Sequence, residues 1–270
     1  RLIYFVWLTL LASNAYSQKR DNVWMLGTQL SGNNVGLEFF NSDINIMSSF
    51  HALTFFITDA SICDTAGNLL FYTNGTYIAN KNHDTLYNSK DFNLGYLTDV
   101  YYEGIGLGMP QGAIVLPVPQ SSTNYIVVYM SGEEIESPSG SDYVTGLELR
   151  YSEIDMALDG GLGGISNDKK KEVLVTDTMT YGQLTACKHA NGRDWWIISH
   201  KYYSNKYYKF LLTPEGILGP YSQHIGSEYR IGYFGKNVFT PDGSKLAHVG
   251  QTDTLDLFNF DRCTGELSNN

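Results

Sequence analysis

Short runs of apolar and aromatic residues alternate along the chain with turns rich in Gly, Asn, Asp and Pro. Runs of this length without a sustained 3.6-residue period predict β-strands rather than helices. Residues 152–158 give the best helical pattern, but this segment is too short to change the all-β prediction. The predicted strands cover residues 22–26, 36–40, 53–57, 69–72, 112–116, 125–129, 147–154, 172–175, 184–188, 195–200, 207–212, 236–239, 245–249 and 256–260.

Several of these strands are apolar on both faces. In residues 195–198, alternation places Trp195 and Ile197 on one face and Trp196 and Ile198 on the other. A sheet with one hydrated face would alternate apolar and polar residues instead. Two apolar faces predict sheets that are covered on both sides, as in the radially stacked blades of a β-propeller.

An internal repeat supports this architecture. Residues 187–200 align with residues 238–250, and their turn glycines Gly192 and Gly243 are 51 positions apart. The next turn glycines, Gly216 and Gly265, are 49 apart. A period of about 50 is the length of a four-stranded blade. Residues 61–87 and 112–158 fit more loosely, so we predict an all-β β-propeller of about four four-stranded blades, an incomplete fragment of a larger ring.

The first residues have the pattern of a secretory signal peptide. An apolar run over residues 2–12 precedes the small residues Ala15 and Ser17, which suit a cleavage site after position 17. The run is shorter than the roughly 20 residues that span a bilayer. We therefore predict a signal peptide at 1–17 and a propeller domain at 18–270, truncated at the C-terminus and secreted or at the cell surface, not membrane-spanning. A buried N-terminal strand is the alternative.

Charge and cysteine content narrow the function classes. The net charge of −10 argues against nucleic-acid binding, which requires a basic surface. Cys63, Cys187 and Cys263 form no C-x-x-C pair, so neither a zinc site nor a thioredoxin motif is expected. Buried free thiols are favoured, and one disulfide with a leftover thiol is the alternative.

Seven segments carry a resemblance to a known class of proteins. The chain has Trp-Met-Leu-Gly at 24–27, Gly-Leu-Glu-Phe at 36–39 and Asp-Thr-Ala-Gly-Asn-Leu-Leu-Phe-Tyr-Thr-Asn-Gly at 64–75. The others are residues 149–156, 159–163, 184–196 and 241–247. With these segments the chain resembles the secreted β-propeller modules, related to WD40-like and Kelch-like repeats, of gliding-motility and type IX secretion proteins in bacteria. The resemblance implies export to the cell surface. It implies no particular activity, because this family is defined by its fold and its export.

Motifs with a catalytic mechanism are absent from the sequence. There is no G-x-S-x-G, H-E-x-x-H, Walker loop or EF-hand spacing. His200 and His248 end corresponding strands of the repeat and could face a channel, but their offsets from the turn glycines differ by three residues, which favours structural roles. Residues 133–136 (Glu-Glu-Ile-Glu) are expected to form a solvated loop. We predict no catalytic residue, metal site or cofactor.

Paired tyrosines are the best candidates for ligand binding. Tyr202 and Tyr203 sit in a predicted turn, and Tyr101 and Tyr102 precede a glycine-rich loop, where rings can stack on sugars or anchor a protein. The predicted function is non-catalytic binding or scaffolding of an extracellular protein or glycan at a bacterial surface. Two alternatives stay open, a carbohydrate- or peptide-active hydrolase that uses the channel and a purely structural spacer.

Overall fold

The protein is described by a computed structural model over residues 19–27, 35–40, 43–47, 53–101, 105–136, 142–228, 235–250 and 254–269. The predicted signal peptide at 1–17 lies outside these residues. Within them the chain forms 20 strands in five antiparallel sheets, joined mostly by short turns. None of the helices in this part of the chain is long and apolar enough to cross a membrane.

The first two sheets have three strands each, paired in chain order. The first sheet comprises β1 (Val23–Leu26), β2 (Val35–Phe40) and β3 (Asp43–Met47). The second sheet comprises β4 (Ala60–Cys63), β5 (Leu69–Thr73) and β6 (Ile78–Asn80). A π-helical turn, Leu97–Tyr101, lies between the second and third sheets along the chain.

The third sheet has six strands arranged around one long strand. Its members are β7 (Ala113–Pro117), β8 (Asn124–Met130), β9 (Glu133–Glu136), β10 (Asp142–Asp155), β11 (Gly164–Ile165) and β12 (Glu172–Met179). The strand β10 pairs with β8, β9, β11 and β12, and β8 pairs with β7. A short 3-10 turn, Asp159–Gly161, precedes β11.

The last two sheets are four-stranded meanders. The fourth sheet comprises β13 (Thr185–Lys188), β14 (Trp195–His200), β15 (Lys206–Thr213) and β16 (Gly216–His224). The fifth sheet comprises β17 (Gly235–Phe239), β18 (Lys245–Gly250), β19 (Leu255–Asp261) and β20 (Glu266–Asn269). The turn glycines Gly192 and Gly243 occupy the first turn of each meander, and Gly216 and Gly265 the third. The predicted repeat is therefore confirmed for these two units.

Each sheet packs face to face against the next sheet along the chain. Four apolar clusters fill the spaces between consecutive sheets, first against second, second against third, third against fourth and fourth against fifth. In β14, Ile197 belongs to the cluster facing the third sheet, and Trp196 and Ile198 to the cluster facing the fifth. The prediction of strands buried on both faces is confirmed here.

Two local predictions were wrong. Residues 53–57 form no strand, because Leu53 and Phe55 pack into the cluster between the first two sheets while the backbone carbonyl of Thr54 accepts from the Asn74 side chain. Residues 133–136 form the strand β9 on β10 rather than a loop. The strand predicted over 147–154 is confirmed, since residues 152–155 continue β10 and pair with β8. Seven strands were missed, namely β3, β4, β6, β9, β11, β16 and β20.

Candidate functional site

The first strands of four sheets surround one cavity. The strands β4, β7, β13 and β17 are these first strands; β4 contacts β7, and β13 contacts β17. The cavity between them has a volume of about 630 Å³. We call it the central cavity; its walls are residues 57, 59, 60, 110, 111, 113–116, 184–186 and 236. Most of this wall is aliphatic, with Ile57, Ile114 and Leu184 contributing side chains from three different segments. A mostly apolar pocket with a few polar groups is the usual form of a ligand site.

Gln111 holds two of these sheets together at the cavity. Its Nε2 donates to the backbone carbonyl of Asn237 at 3.0 Å, and the backbone N–H of Asn237 donates to its Oε1 at 3.1 Å. Both polar atoms of the amide are thus engaged, which fixes the side chain in one orientation. Gln111 has a φ of 46°, so it turns the chain tightly just before β7. The cavity wall is therefore preorganised at this point.

Asp59 and Lys236 are the two charged residues of the cavity wall. The surrounding protein partly desolvates the Asp59 carboxylate and raises its pKa, and the positive charge of Lys236 acts in the opposite direction. Both side chains remain open to solvent. They therefore offer one anionic and one cationic group to whatever enters the cavity.

A buried hydrogen-bond network supports the cavity wall from behind. The Asn237 Nδ2 donates to the backbone carbonyl of Gln183 at 2.9 Å, which leaves the Asn237 Oδ1 to accept from His248 Nδ1 at 2.9 Å. His248 Nε2 then accepts from Gln183 Nε2 at 3.3 Å. This pattern requires the neutral imidazole with its proton on Nδ1. Burial lowers the pKa of His248 to about 4, which agrees with a neutral ring.

The two histidines of the repeat lie together. The rings of His200 and His248 are 4.6 Å apart, and the His200 Nδ1 is 3.2 Å from Thr180 Oγ1. Both side chains are fully buried, so they pack between the fourth and fifth sheets and do not line the cavity. The strands β14 and β18 pack with the two rings in contact. Among the described residues no group of three or more His, Cys, Asp or Glu side chains could hold a metal ion.

The predicted tyrosines occupy different environments. Tyr202 is buried, with 8% of its surface exposed, and its backbone N–H donates to the Thr178 carbonyl. Tyr203 is 40% exposed, has a φ of 55°, and its ring lies 5.8 Å from that of Tyr202. Tyr101 ends the π-helical turn, and Tyr102 lies outside the described residues. Ligand binding by these four residues stays a prediction.

Sequence reasoning missed the residues of the central cavity. Asp59 lies just after residues 53–57, which were predicted as a strand but form none. Gln111 and Lys236 belong to no sequence motif. Gln111 and Asn237 are 126 positions apart, so only the folded arrangement of the sheets brings them into contact. Their place in the predicted units was the one available signal. Gln111 lies next to the predicted strand 112–116, and Lys236 begins the predicted strand 236–239.

Comparisons with known proteins leave the chain without an assigned family. No family description matches it, and no curated protein matches it. Solved structures that are similar include a functionally unknown protein from Desulfotomaculum acetoxidans, 11% identical, with a TM-score of 0.45 over 95% of this chain and 67% of that one.

A β-propeller domain from Myceliophteria thermophila is also similar, 11% identical with a TM-score of 0.43 over 92% of this chain and 68% of that one. A putative 6-phosphogluconolactonase from Bacteroides fragilis is 9% identical, with a TM-score of 0.37 over 91% and 80%. The similarity is too low to transfer any property from these proteins to this chain.

Proposed function

We propose that the protein is a β-propeller module that binds an extracellular protein partner at a bacterial surface and carries out no catalysis. Two features of the chain support the propeller. Successive sheets stack face to face in chain order, and their first strands contact one another on the inside. Radially arranged blades bury both faces of each sheet in this way.

The lining of the central cavity is the observation that carries binding. Its wall is largely aliphatic, and the polar amide of Gln111 is already fixed by two hydrogen bonds. An apolar wall with a carboxylate at Asp59 and an ammonium at Lys236 suits a protein segment with an apolar side chain beside charged residues. Such a segment would lose little free energy to reorganisation of the site, because the wall is preorganised.

The same lining disfavours a hydrolase. Glycoside hydrolysis uses two carboxyl groups, and acyl transfer uses a nucleophile beside a base. The described residues around the central cavity include one carboxylate, Asp59, and one hydroxyl group, Thr185, but no His, Cys or Ser. This composition favours recognition over catalysis at this place in the fold.

Selection from a displayed library of random peptides tests the proposal. We expect the intact protein to enrich peptides with an apolar residue flanked by charges. Binding of a selected peptide should weaken about tenfold in Asp59→Asn and Lys236→Gln, since each variant removes a charge that the bound peptide would pair with and cover. Lys245→Gln, which changes a lysine on the neighbouring strand β18, is the matched control and should bind normally. Equal binding by all four proteins, or no enrichment, would overturn the proposal.

Secretion is a separate part of the proposal and has a separate test. Expression of the full chain in a bacterium should release or surface-expose a protein that begins at Gln18, since Ala15 and Ser17 suit the signal peptidase. Mass spectrometry of the N-terminal peptide reads the cleavage site. A cytoplasmic protein that retains residues 1–17 would contradict export.

A further inference from the structure

A second, larger cleft opens beside the second sheet. It has a volume of about 710 Å³, within the range of roughly 300–1,000 Å³ for small-molecule sites. We call it the polar cleft; residues 53, 54, 74, 76, 77, 85, 89–91, 93, 94, 98 and 99 line it. The central cavity is lined by a different set of residues. The two are therefore distinct places in the fold.

Asn74 fixes one wall of the polar cleft. This buried side chain donates from Nδ2 to the Thr54 carbonyl at 2.9 Å. Its Oδ1 accepts from the Thr76 backbone N–H, the Thr76 hydroxyl and the Tyr77 backbone N–H at 2.9–3.1 Å. The tight turn between β5 and β6 is thereby locked. The side chains that this turn presents to the cleft are held in place before any ligand arrives.

Two buried polar atoms of residues that line the polar cleft make no hydrogen bond with the described part of the chain. Asn93 is 1% exposed, and its Nδ2 donates to the carbonyls of Gly75 and Met130, but its Oδ1 has no partner. Thr98 is 9% exposed, and its Oγ1 has none either. A buried unsatisfied polar atom costs about 1–3 kcal/mol, so two in one wall call for a ligand that supplies the missing bonds.

Thr98 belongs to the π-helical turn Leu97–Tyr101. Turns of this type are rare and are frequently found at functional sites. The turn is anchored at its start, where the Leu97 backbone N–H donates to the Gly132 carbonyl at 3.0 Å. The unpaired hydroxyl of Thr98 is therefore part of a local conformation that the third sheet holds in place.

The rest of the lining indicates which chemistry the polar cleft accepts. Neutral hydroxyl and amide side chains predominate, and the charges are one lysine, Lys90, against the two carboxylates Asp91 and Asp99. Lys90 disfavours a cationic ligand, and the two carboxylates disfavour an anionic one. The Tyr77 ring, whose hydroxyl is hydrogen-bonded to Thr85 Oγ1, provides a flat surface at one side. Hydroxyl-bearing ligands with C–H faces match amide and carboxylate acceptors beside an aromatic ring.

We propose that the polar cleft binds a neutral oligosaccharide. Sugar hydroxyls donate to the carboxylate of Asp99 and exchange hydrogen bonds with Thr98 Oγ1, which is covered in this structure and turns toward the cleft when the sugar binds, while a pyranose face lies on the Tyr77 ring. The site does not depend on the protein-binding role of the central cavity. It gives the same module a second specificity, for glycans.

An array of neutral oligosaccharides probed with the intact protein, followed by calorimetric titration of the best-bound trisaccharide, tests the proposal. Thr98→Val removes one hydroxyl at constant shape and should weaken binding about 3- to 10-fold, the value of one hydrogen bond. Asp99→Asn should weaken it by a similar factor. Thr176→Val, the matched control on the exposed strand β12, should bind as the unchanged protein does. Thr98→Val should keep or raise the melting temperature, since it removes a buried hydroxyl that makes no hydrogen bond with the described part of the chain.

Three results would overturn this assignment. The first is that no neutral oligosaccharide on the array binds at millimolar concentration. The second is undiminished binding in both Thr98→Val and Asp99→Asn. The third is loss of saccharide binding in Asp59→Asn with Thr98→Val unaffected, which would move the sugar to the central cavity and leave the protein-partner proposal to be tested by its own peptide selection.

Discussion

The indole Nε1–H of Trp196 donates a hydrogen bond to the backbone carbonyl of Arg262 across 2.9 Å. Trp196 lies in the fourth sheet, and Arg262 lies in the turn between β19 and β20 of the fifth. Gly265 in the same turn has a φ of +74°, and a Cβ there would lie 2.7 Å from the Trp196 ring. The turn therefore closes over the indole, and this contact fastens the two sheets together.

Two substitutions of Trp196 should destabilise the protein to different extents. Trp196→Phe keeps a ring but leaves the Arg262 carbonyl without its donor, and we expect a loss of about 1–3 kcal/mol in the free energy of unfolding. Trp196→Ser also empties the apolar space and should cost about 3–5 kcal/mol. Urea unfolding measures both. Trp195→Phe is the control, because the Nε1 of Trp195 has no partner in the described part of the chain, and it should cost less than Trp196→Phe.

Gly182 should tolerate no side chain. Its φ is +78°, and a Cβ built on it would lie 2.0 Å from the carbonyl oxygen of Gly235. Gly182→Ala must displace the fifth sheet from the fourth and should cost at least about 2–3 kcal/mol. Gly192 has a similar φ of +72° with nothing within 4 Å, so Gly192→Ala should cost about 1 kcal/mol from backbone strain alone. Similar melting temperatures for the two variants would show that the close approach to Gly235 is relieved without cost.

The buried histidines should make stability depend on pH. Burial and the neighbouring His248 lower the pKa of His200 well below its usual value, and burial lowers the pKa of His248 to about 4. Both rings are neutral when folded but take up protons near pH 6.5 when unfolded, so the unfolded state binds more protons below that pH. Stability should be constant above about pH 6.5 and fall as the pH drops toward 4, by about 3 kcal/mol for His248 alone.

Unfolding curves at a series of pH values measure this slope. His248→Gln should be less stable at neutral pH, because its hydrogen bonds to Asn237 and Gln183 are altered, but its stability should fall less on acidification. His224→Gln changes an exposed histidine and should leave the slope intact. An unchanged slope in His248→Gln would assign the acid sensitivity to other groups.

The three thiols should differ sharply in reactivity. Cys263 is exposed, and Cys63 and Cys187 are buried, where desolvation raises their pKa values to about 11 and about 12. Because the thiolate is the reactive form, iodoacetamide at pH 8 should label Cys263 within minutes and the other two only after unfolding. Peptide mass spectrometry reads the labelled positions. Rapid labelling of Cys187 in the folded protein would contradict its burial between the fourth and fifth sheets.

Continuous short runs of apolar residues predicted the sheets, because a strand that is buried on both faces has apolar residues at successive positions. Trp196 and Ile197 do point to opposite clusters, as their positions in the sequence require. Exposed edge strands carried less signal. The strand β16 is largely solvent-exposed, and its Gly219-Pro220 pair is typical of a turn, although it pairs with β15 along most of its length.

The candidate sites were less accessible to sequence reasoning than the sheets. The charge of Lys236 acts to lower the pKa of Asp59 although the two residues are far apart along the chain. The unpaired hydroxyl of Thr98 becomes visible only once its surroundings are known. Such sites depend on how the sheets are placed relative to one another, and a period in the sequence specifies each sheet but not the residues that meet between sheets.

Lys209 shows that the last two sheets cannot be separated. Its side chain is buried between them, with Nζ 3.0 Å from Gln223 Oε1 and 3.1 Å from Glu266 Oε1. Removing the fifth sheet would leave the Lys209 ammonium group without the Glu266 carboxylate. It would also expose the aromatic surface of the fourth sheet to solvent. Any shortened version of this protein must therefore keep both meanders or neither, and a protease that nicks the chain between residues 228 and 235 should release no folded half.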